Sequence, residues 1–171
     1  MATVIELLGG ECTGKSALAE EVALATGAQL VPETLRAFVD IHGRAPMQDE
    51  QEQIMNEQFR AAEAAVENSA GLVVVDPSPA MTAVYSLQYF NDDSLLDLAI
   101  HRLKRADVIV WCQPDIPWVP DGVHRDGAVH RSRSHELLRD QVVSRLDPGV
   151  VVIASGDTQQ RLRTLQAFLD R

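Results

Sequence analysis

Apolar residues along this chain fall into two alternating patterns. Thr3–Leu8, Leu72–Val75, Asp107–Cys112 and Val150–Ala154 are short, nearly continuous apolar runs, and Ala28–Val31 is a shorter one closed by Pro32. Such runs suit strands buried on both faces of a parallel sheet. Between them lie segments with helical signals. A helix is expected from Lys15 to about Thr26, ended by Gly27, and another from Glu33 to about Ile41 before Gly43. Pro46 opens a longer helix, where Met55, Phe59, Ala62 and Val66 recur at helical spacing. Further helices are expected at Ala80–Tyr89, Leu95–Arg105, Ser134–Leu146 and Thr158–Leu169, with residues 114–130 a loop rich in Pro, Gly, Asp, His and Arg. Strand and helix alternate throughout, which predicts an α/β fold around a parallel sheet. No repeat or linker interrupts the pattern, so residues 1–171 read as one domain.

In open α/β sheets ligands bind beyond the carboxyl ends of the strands. The first strand runs into Gly9-Gly10-Glu11-Cys12-Thr13-Gly14-Lys15-Ser16, a complete G-x-x-x-x-G-K-S loop, and a helix runs out of it. Loop amides from Gly10, Glu11, Cys12, Thr13 and Gly14 would cradle phosphate oxygens, helped by the positive end of the helix. Lys15 would reach the β- and γ-phosphates and Ser16 would ligate Mg²⁺, so the implied ligand is a nucleoside triphosphate such as ATP. An acidic Glu11 is unfavourable in such a cradle unless it points away.

The other strand ends add polar groups. Glu33, after Val31-Pro32, is placed to act as a general base or to bind an acceptor hydroxyl; a carboxylate serving only the helix dipole fits the same position. Arg36 shares its helical face, where it would orient Glu33, hold the acceptor or form a surface ion pair. Asp76 follows Leu72-Val73-Val74-Val75 and would hold Mg²⁺ or the acceptor, or cap the next helix. Gly156 and Asp157 follow the last strand. Arg125, Arg131 and Arg133 fall in a segment, about 114–133, expected to act as a lid that brings positive charge to a transferred phosphoryl group. Asp121 and Trp118 lie in that segment as candidate acceptor contacts, and Trp118 would stack on a planar or cationic ring or pack under the loop.

Composition narrows the classes. The net charge of −10 argues against a nucleic-acid partner and leaves room for ATP at a local positive site. The acidic run Asp49, Glu50, Glu52, Glu57 and Glu63 reads as a solvated helix face. No apolar stretch approaches the roughly 18 residues of a membrane span, and no signal peptide is evident, so a cytoplasmic protein without a membrane partner is expected. Cys12 and Cys112 fit a reducing compartment without a disulfide. The histidines show no zinc spacing, and no G-x-S-x-G elbow supports a hydrolase triad.

Together these residues resemble the ribosylnicotinamide kinase domain of NadR-type proteins, an AAA-like P-loop kinase. The resemblance rests on the loop at 9–16, on Val31-Pro32-Glu33-Thr34-Leu35-Arg36, and on Asp76 with Thr82-Ala83-Val84-Tyr85. It extends through Asp115-Ile116-Pro117-Trp118-Val119-Pro120-Asp121-Gly122 and through Ser155-Gly156-Asp157 with Arg161, which resembles the family's segment near the adenine. It implies a three-layer fold with a five-stranded parallel sheet in the order 2-3-1-4-5. It also implies ATP- and Mg²⁺-dependent phosphorylation of the ribose 5′-hydroxyl of nicotinamide riboside, a step of NAD salvage. Thr34 stands where the family usually has an aromatic residue, and Val123-His124-Arg125 departs from an arginine soon after Asp-Gly. The adenylyltransferase activity often fused to this kinase is not expected from these residues. Other hydroxyl acceptors, a nucleotide-binding regulatory module and a hydrolytic NTPase are the alternatives.

Overall fold

The structure, a computed structural model, describes residues 2–120 and 127–171. Its strands are β1 (Thr3–Leu8), β2 (Gln29–Val31), β3 (Leu72–Val75), β4 (Val108–Cys112) and β5 (Val151–Ala154). They form one parallel sheet in the order β2-β3-β1-β4-β5. The helices are α1 (Lys15–Thr26), α2 (Thr34–His42), α3 (Gln51–Glu67), α4 (Ala80–Phe90), α5 (Leu96–Leu103), α6 (Ala128–Leu137) and α7 (Thr158–Leu169).

Side chains alternate across the pleat and so sort the core into two layers. Ile5, Leu7, Val110 and Cys112 pack with Leu18, Val22, Leu162 and Leu165 of α1 and α7. Leu8, Ile109 and Trp111 face α3 to α6 with Met55, Phe59, Met81 and Leu138. Val73 and Val75 meet Ala62 and Ala65 of α3 on that second side. β1 lies at the centre of the sheet, so the loop that follows it emerges in the middle of the strand ends.

One boundary differs in a way that bears on the site. The helix expected from Ser134 begins at Ala128, and residues 128–130 belong to it rather than to a loop. Only Ser134 and Leu137 of α6 are buried, so its first half carries no apolar stripe from which a sequence reading could detect it. Gly127, at φ 122°, provides the entry. The chain then leaves α6 through a π-helical turn at Leu138–Val142 and a 3₁₀ turn at Val143–Arg145, in place of the continuous helix expected to Leu146. Arg131 and Arg133 consequently sit on a helix, not on a loop.

Candidate functional site

The loop between β1 and α1 is shaped by its own backbone demands. Gly14 takes a left-handed conformation, φ 78°, as it enters α1. Gly9 leaves no room for a side chain: a Cβ there would lie 2.5 Å from Thr13 Oγ1. Thr13 is buried and donates its hydroxyl to Gly10 O at 2.8 Å. Lys15 Nζ donates to the same carbonyl at 2.8 Å, which holds the ammonium against the loop. Ser16, in the first turn of α1, is exposed.

Glu11 resolves the conflict raised by its charge. Its Oε1 accepts from Gly127 N at 2.9 Å and from Trp118 Nε1 at 3.3 Å. The carboxylate therefore faces the segments that flank residues 121–126. Cys12 joins the same seam: Val119 N donates to its Sγ at 3.3 Å, and the thiol lies 3.5 Å from Pro117 O. Cys12 and Cys112 are both free thiols, and burial pushes Cys112 up to about 11.

Arg131 crosses from α6 to this loop. Its Nη1 donates to Ile116 O at 2.8 Å and to Cys12 O at 3.2 Å. Its buried Nε has no hydrogen-bond partner among the described residues. Arg133 instead points to the surface, 3.3 Å from Glu136. Arg125 and Asp121 lie outside the described residues.

Two carboxylates follow β2 and β3, the two strands on one side of β1. Glu33 ends the link from β2 and is the N-cap residue of α2, but its side chain makes no capping bond. Asp76 ends β3, and its N–H donates to Val31 O at 3.1 Å, which ties the two strand ends together. Asp76 Oδ1 is buried without a hydrogen-bond partner among the described residues. A buried acceptor of this kind costs free energy unless a ligand, water or ion satisfies it. A hard cation supplies that partner, so the residues present fit Mg²⁺. Arg36 is exposed on α2.

At the opposite end of the sheet Arg161 joins three loops. It is only 1 % exposed. Its Nε donates to Gly156 O at 2.8 Å, Nη2 to Gln113 O at 3.1 Å and to Asp115 Oδ1, and Nη1 to Thr13 O. Asp115 Oδ2 in turn accepts from Gly156 N at 2.6 Å. The phosphate loop and the ends of β4 and β5 thus share one guanidinium. Asp157 caps α7 by accepting from Gln160 N at 2.8 Å.

Three further groups escaped the sequence reading. Glu6 is buried within β1 and accepts from Ser78 Oγ at 2.5 Å, while burial raises its carboxyl to about 7. Ser78 also accepts from Ala80 N and so shapes the turn after Asp76. Gln58, on α3, contacts the link from β2 to α2. The available signal was a polar residue inside an apolar run: Glu6 among Ile5, Leu7 and Leu8, and Gln58 in the stripe of Ile54, Met55 and Ala62.

Comparison with known proteins bears on the family and the fold. An AAA domain family model matches residues 4–161. Among solved structures, a NadR protein in complex with NR superposes with a TM-score of 0.78 at 19% identity, and one in complex with NAD and AMP-PNP with 0.70 at 20%. Both matches cover 99% of this chain and 50% of the NadR chain, so this chain spans about half the NadR length. Deoxyadenosine kinase from M. mycoides, with the products dCMP and dCDP, gives a TM-score of 0.64 at 10% identity and covers 99% of both chains. These structures share the sheet order and helical layers seen here, the fold of P-loop kinases. No curated protein sequence matches the chain.

Proposed function

The chain belongs to the AAA domain family, and from that premise we propose that it is an ATP-dependent small-molecule kinase, with nicotinamide riboside as the first candidate acceptor and nicotinamide mononucleotide as its product. The observation that carries the reading is a pair of buried groups beside the phosphate loop, Asp76 Oδ1 and Arg131 Nε, that have no hydrogen-bond partner among the described residues. One invites a cation and the other an anion. A metal-bound nucleoside triphosphate has both.

In this mechanism the amides of residues 10–16 and the N-terminus of α1 bind the phosphates of ATP. Lys15 exchanges its bond to Gly10 O for the β- and γ-phosphate oxygens. Ser16 and Asp76 would hold Mg²⁺, which would supply charge neutralisation to the triphosphate. Glu33 orients the acceptor hydroxyl and takes its proton as the hydroxyl oxygen attacks the γ-phosphorus. The bond from that phosphorus to the bridging oxygen breaks, and ADP leaves. Arg131, with Arg125, stabilises charge on the transferred group, and Arg36, Trp118 and Asp121 contact the acceptor. Gly156, Asp157 and Arg161 lie on the nucleotide-base side.

Nicotinamide riboside is favoured by the sequence resemblance and supported by the NadR complexes with NR and with AMP-PNP. The deoxyadenosine kinase complexes support a nucleoside acceptor more broadly. The test is ADP release from ATP across nicotinamide riboside, nucleosides and other hydroxyl compounds. The expected result is strong stimulation by nicotinamide riboside. Turnover with another acceptor and none with nicotinamide riboside refutes the substrate and keeps the kinase. Slow hydrolysis that no acceptor stimulates refutes both, and favours a regulatory nucleotide-binding module.

A further inference from the structure

Gln58 lies in the middle of α3 and is only 3% exposed. A buried primary amide must place both a donor and an acceptor or lose free energy. Gln58 satisfies both ends on one target. Its Nε2 donates to Pro32 O at 3.1 Å, and its Oε1 accepts from Thr34 N at 2.6 Å. Those two backbone groups flank Glu33.

The pairing explains a feature of α2. The first N–H groups of a helix need partners from outside it, and the N-cap side chain ordinarily provides one. Glu33 occupies the N-cap of α2 yet makes no side-chain capping bond. Thr34, the first residue of α2, has an N–H that an N-cap side chain does not ordinarily reach, and Gln58 satisfies it. A residue of the neighbouring helix thus satisfies the first N–H of α2 and holds the backbone that carries Glu33. Pro32, with its fixed φ, and Asp76 N bound to Val31 O hold the chain just before the clamp. The support runs from rigid elements, α3 and β3, to one carboxylate.

We propose that Gln58 is the positioning residue for Glu33: by bonding Pro32 O and the N–H of Thr34 it fixes the backbone on both sides of Glu33, so that the carboxylate is presented to the acceptor. This rests on the kinase reading above, in which Glu33 acts on the acceptor hydroxyl. Catalytic groups misplaced by about 1 Å lose on the order of 100-fold in rate. Clamp loss relaxes the link only partly, so a smaller effect is expected.

The experiment compares Q58M, Q58E and E33Q in the full chain. Met keeps the volume and removes both bonds. Glu keeps the acceptor for Thr34 N and loses the donor to Pro32 O, and it stands in if Q58M does not fold. Acceptor-dependent kcat is measured at saturating ATP and acceptor, with AMP-PNP affinity measured by calorimetry. The proposal expects kcat to fall by about 10-fold or more in the Gln58 variants, with AMP-PNP affinity changed less than about two-fold. A general loosening of the domain would instead weaken AMP-PNP binding in step with kcat, and that outcome overturns the proposal. So does wild-type kcat in a folded Gln58 variant while E33Q has lost activity. Wild-type turnover in E33Q overturns the assignment of Glu33 itself, a different failure.

Discussion

Replacing Arg161 by methionine tests whether one buried guanidinium organises the phosphate loop and the ends of β4 and β5. Methionine approximates the length of the arginine stem but offers no donor. The change strands the carbonyls of Thr13, Gln113 and Gly156, all bonded to the guanidinium in the intact protein. It also removes the ion-pair partner of Asp115, whose side chain is 37 % exposed and so can recover hydration. Breaking a buried, hydrogen-bonded charge pair from one side costs about 3–5 kcal/mol. The exposure of Asp115 favours the lower end of that range, about 3 kcal/mol. For a domain of this size each kcal/mol shifts Tm by roughly 3 °C, so a fall of roughly 10 °C is expected. The second consequence is functional. Thr13 O is one of the contacts that hold the phosphate loop in shape, and a loop that must be ordered by its ligand binds more weakly. AMP-PNP affinity is expected to fall about 10-fold. Thermal unfolding followed by circular dichroism gives the first quantity, and calorimetric titration with AMP-PNP gives the second. A variant that melts within about 2 °C of the parent and binds AMP-PNP equally well refutes the reasoning. It would show that apolar volume replaces the hub, as happens for some buried ion pairs.

Lys15→Ala is expected to lower phosphoryl transfer by about 100-fold or more while leaving the fold intact, because among the described residues Lys15 is hydrogen-bonded only to Gly10 O, within its own loop; near-normal transfer in an ADP-release assay refutes the catalytic reading. Glu6→Gln is expected to change how stability depends on pH. The Glu6 carboxyl is raised by burial from 4.5 to about 7, so between those values the folded chain holds a proton that the unfolded chain has released. Stability from this group is therefore present below about pH 4.5 and is lost as pH rises through about 7. The loss is of order 3 kcal/mol. Glutamine keeps a partner for Ser78 and has no proton to lose. Urea unfolding of E6Q should then lack that decline between pH 5 and 7, relative to the parent; identical slopes for the two proteins count against it.

Much of this site was legible because its chemistry is local. The phosphate loop needs glycines, a lysine and a serine at fixed spacing between a strand and a helix, and all are contiguous at 9–16. Apolar runs place Asp76 and Glu33 at strand ends, and in a parallel sheet all strand ends that precede helices meet at one edge. The start of α6 was not legible. Its first half packs through Arg131 onto carbonyls and through the backbone of Gly127 onto Glu11, and neither contact leaves a hydrophobic period.

The amino-acid sequence by itself determined the α/β alternation, the nucleotide loop and the two carboxylates beside it, because each follows from spacing along the chain. Tertiary structure alone decided which distant groups hold that apparatus in place. Gln58 meets Pro32 and Thr34 across 26 and 24 residues, and Arg161 meets Thr13 across 148. Hydrogen bonds of that reach depend on how helices pack on the sheet, which no local pattern encodes. The same packing turned Glu11 toward Gly127 and Trp118 and left Asp76 Oδ1 and Arg131 Nε without hydrogen-bond partners among the described residues.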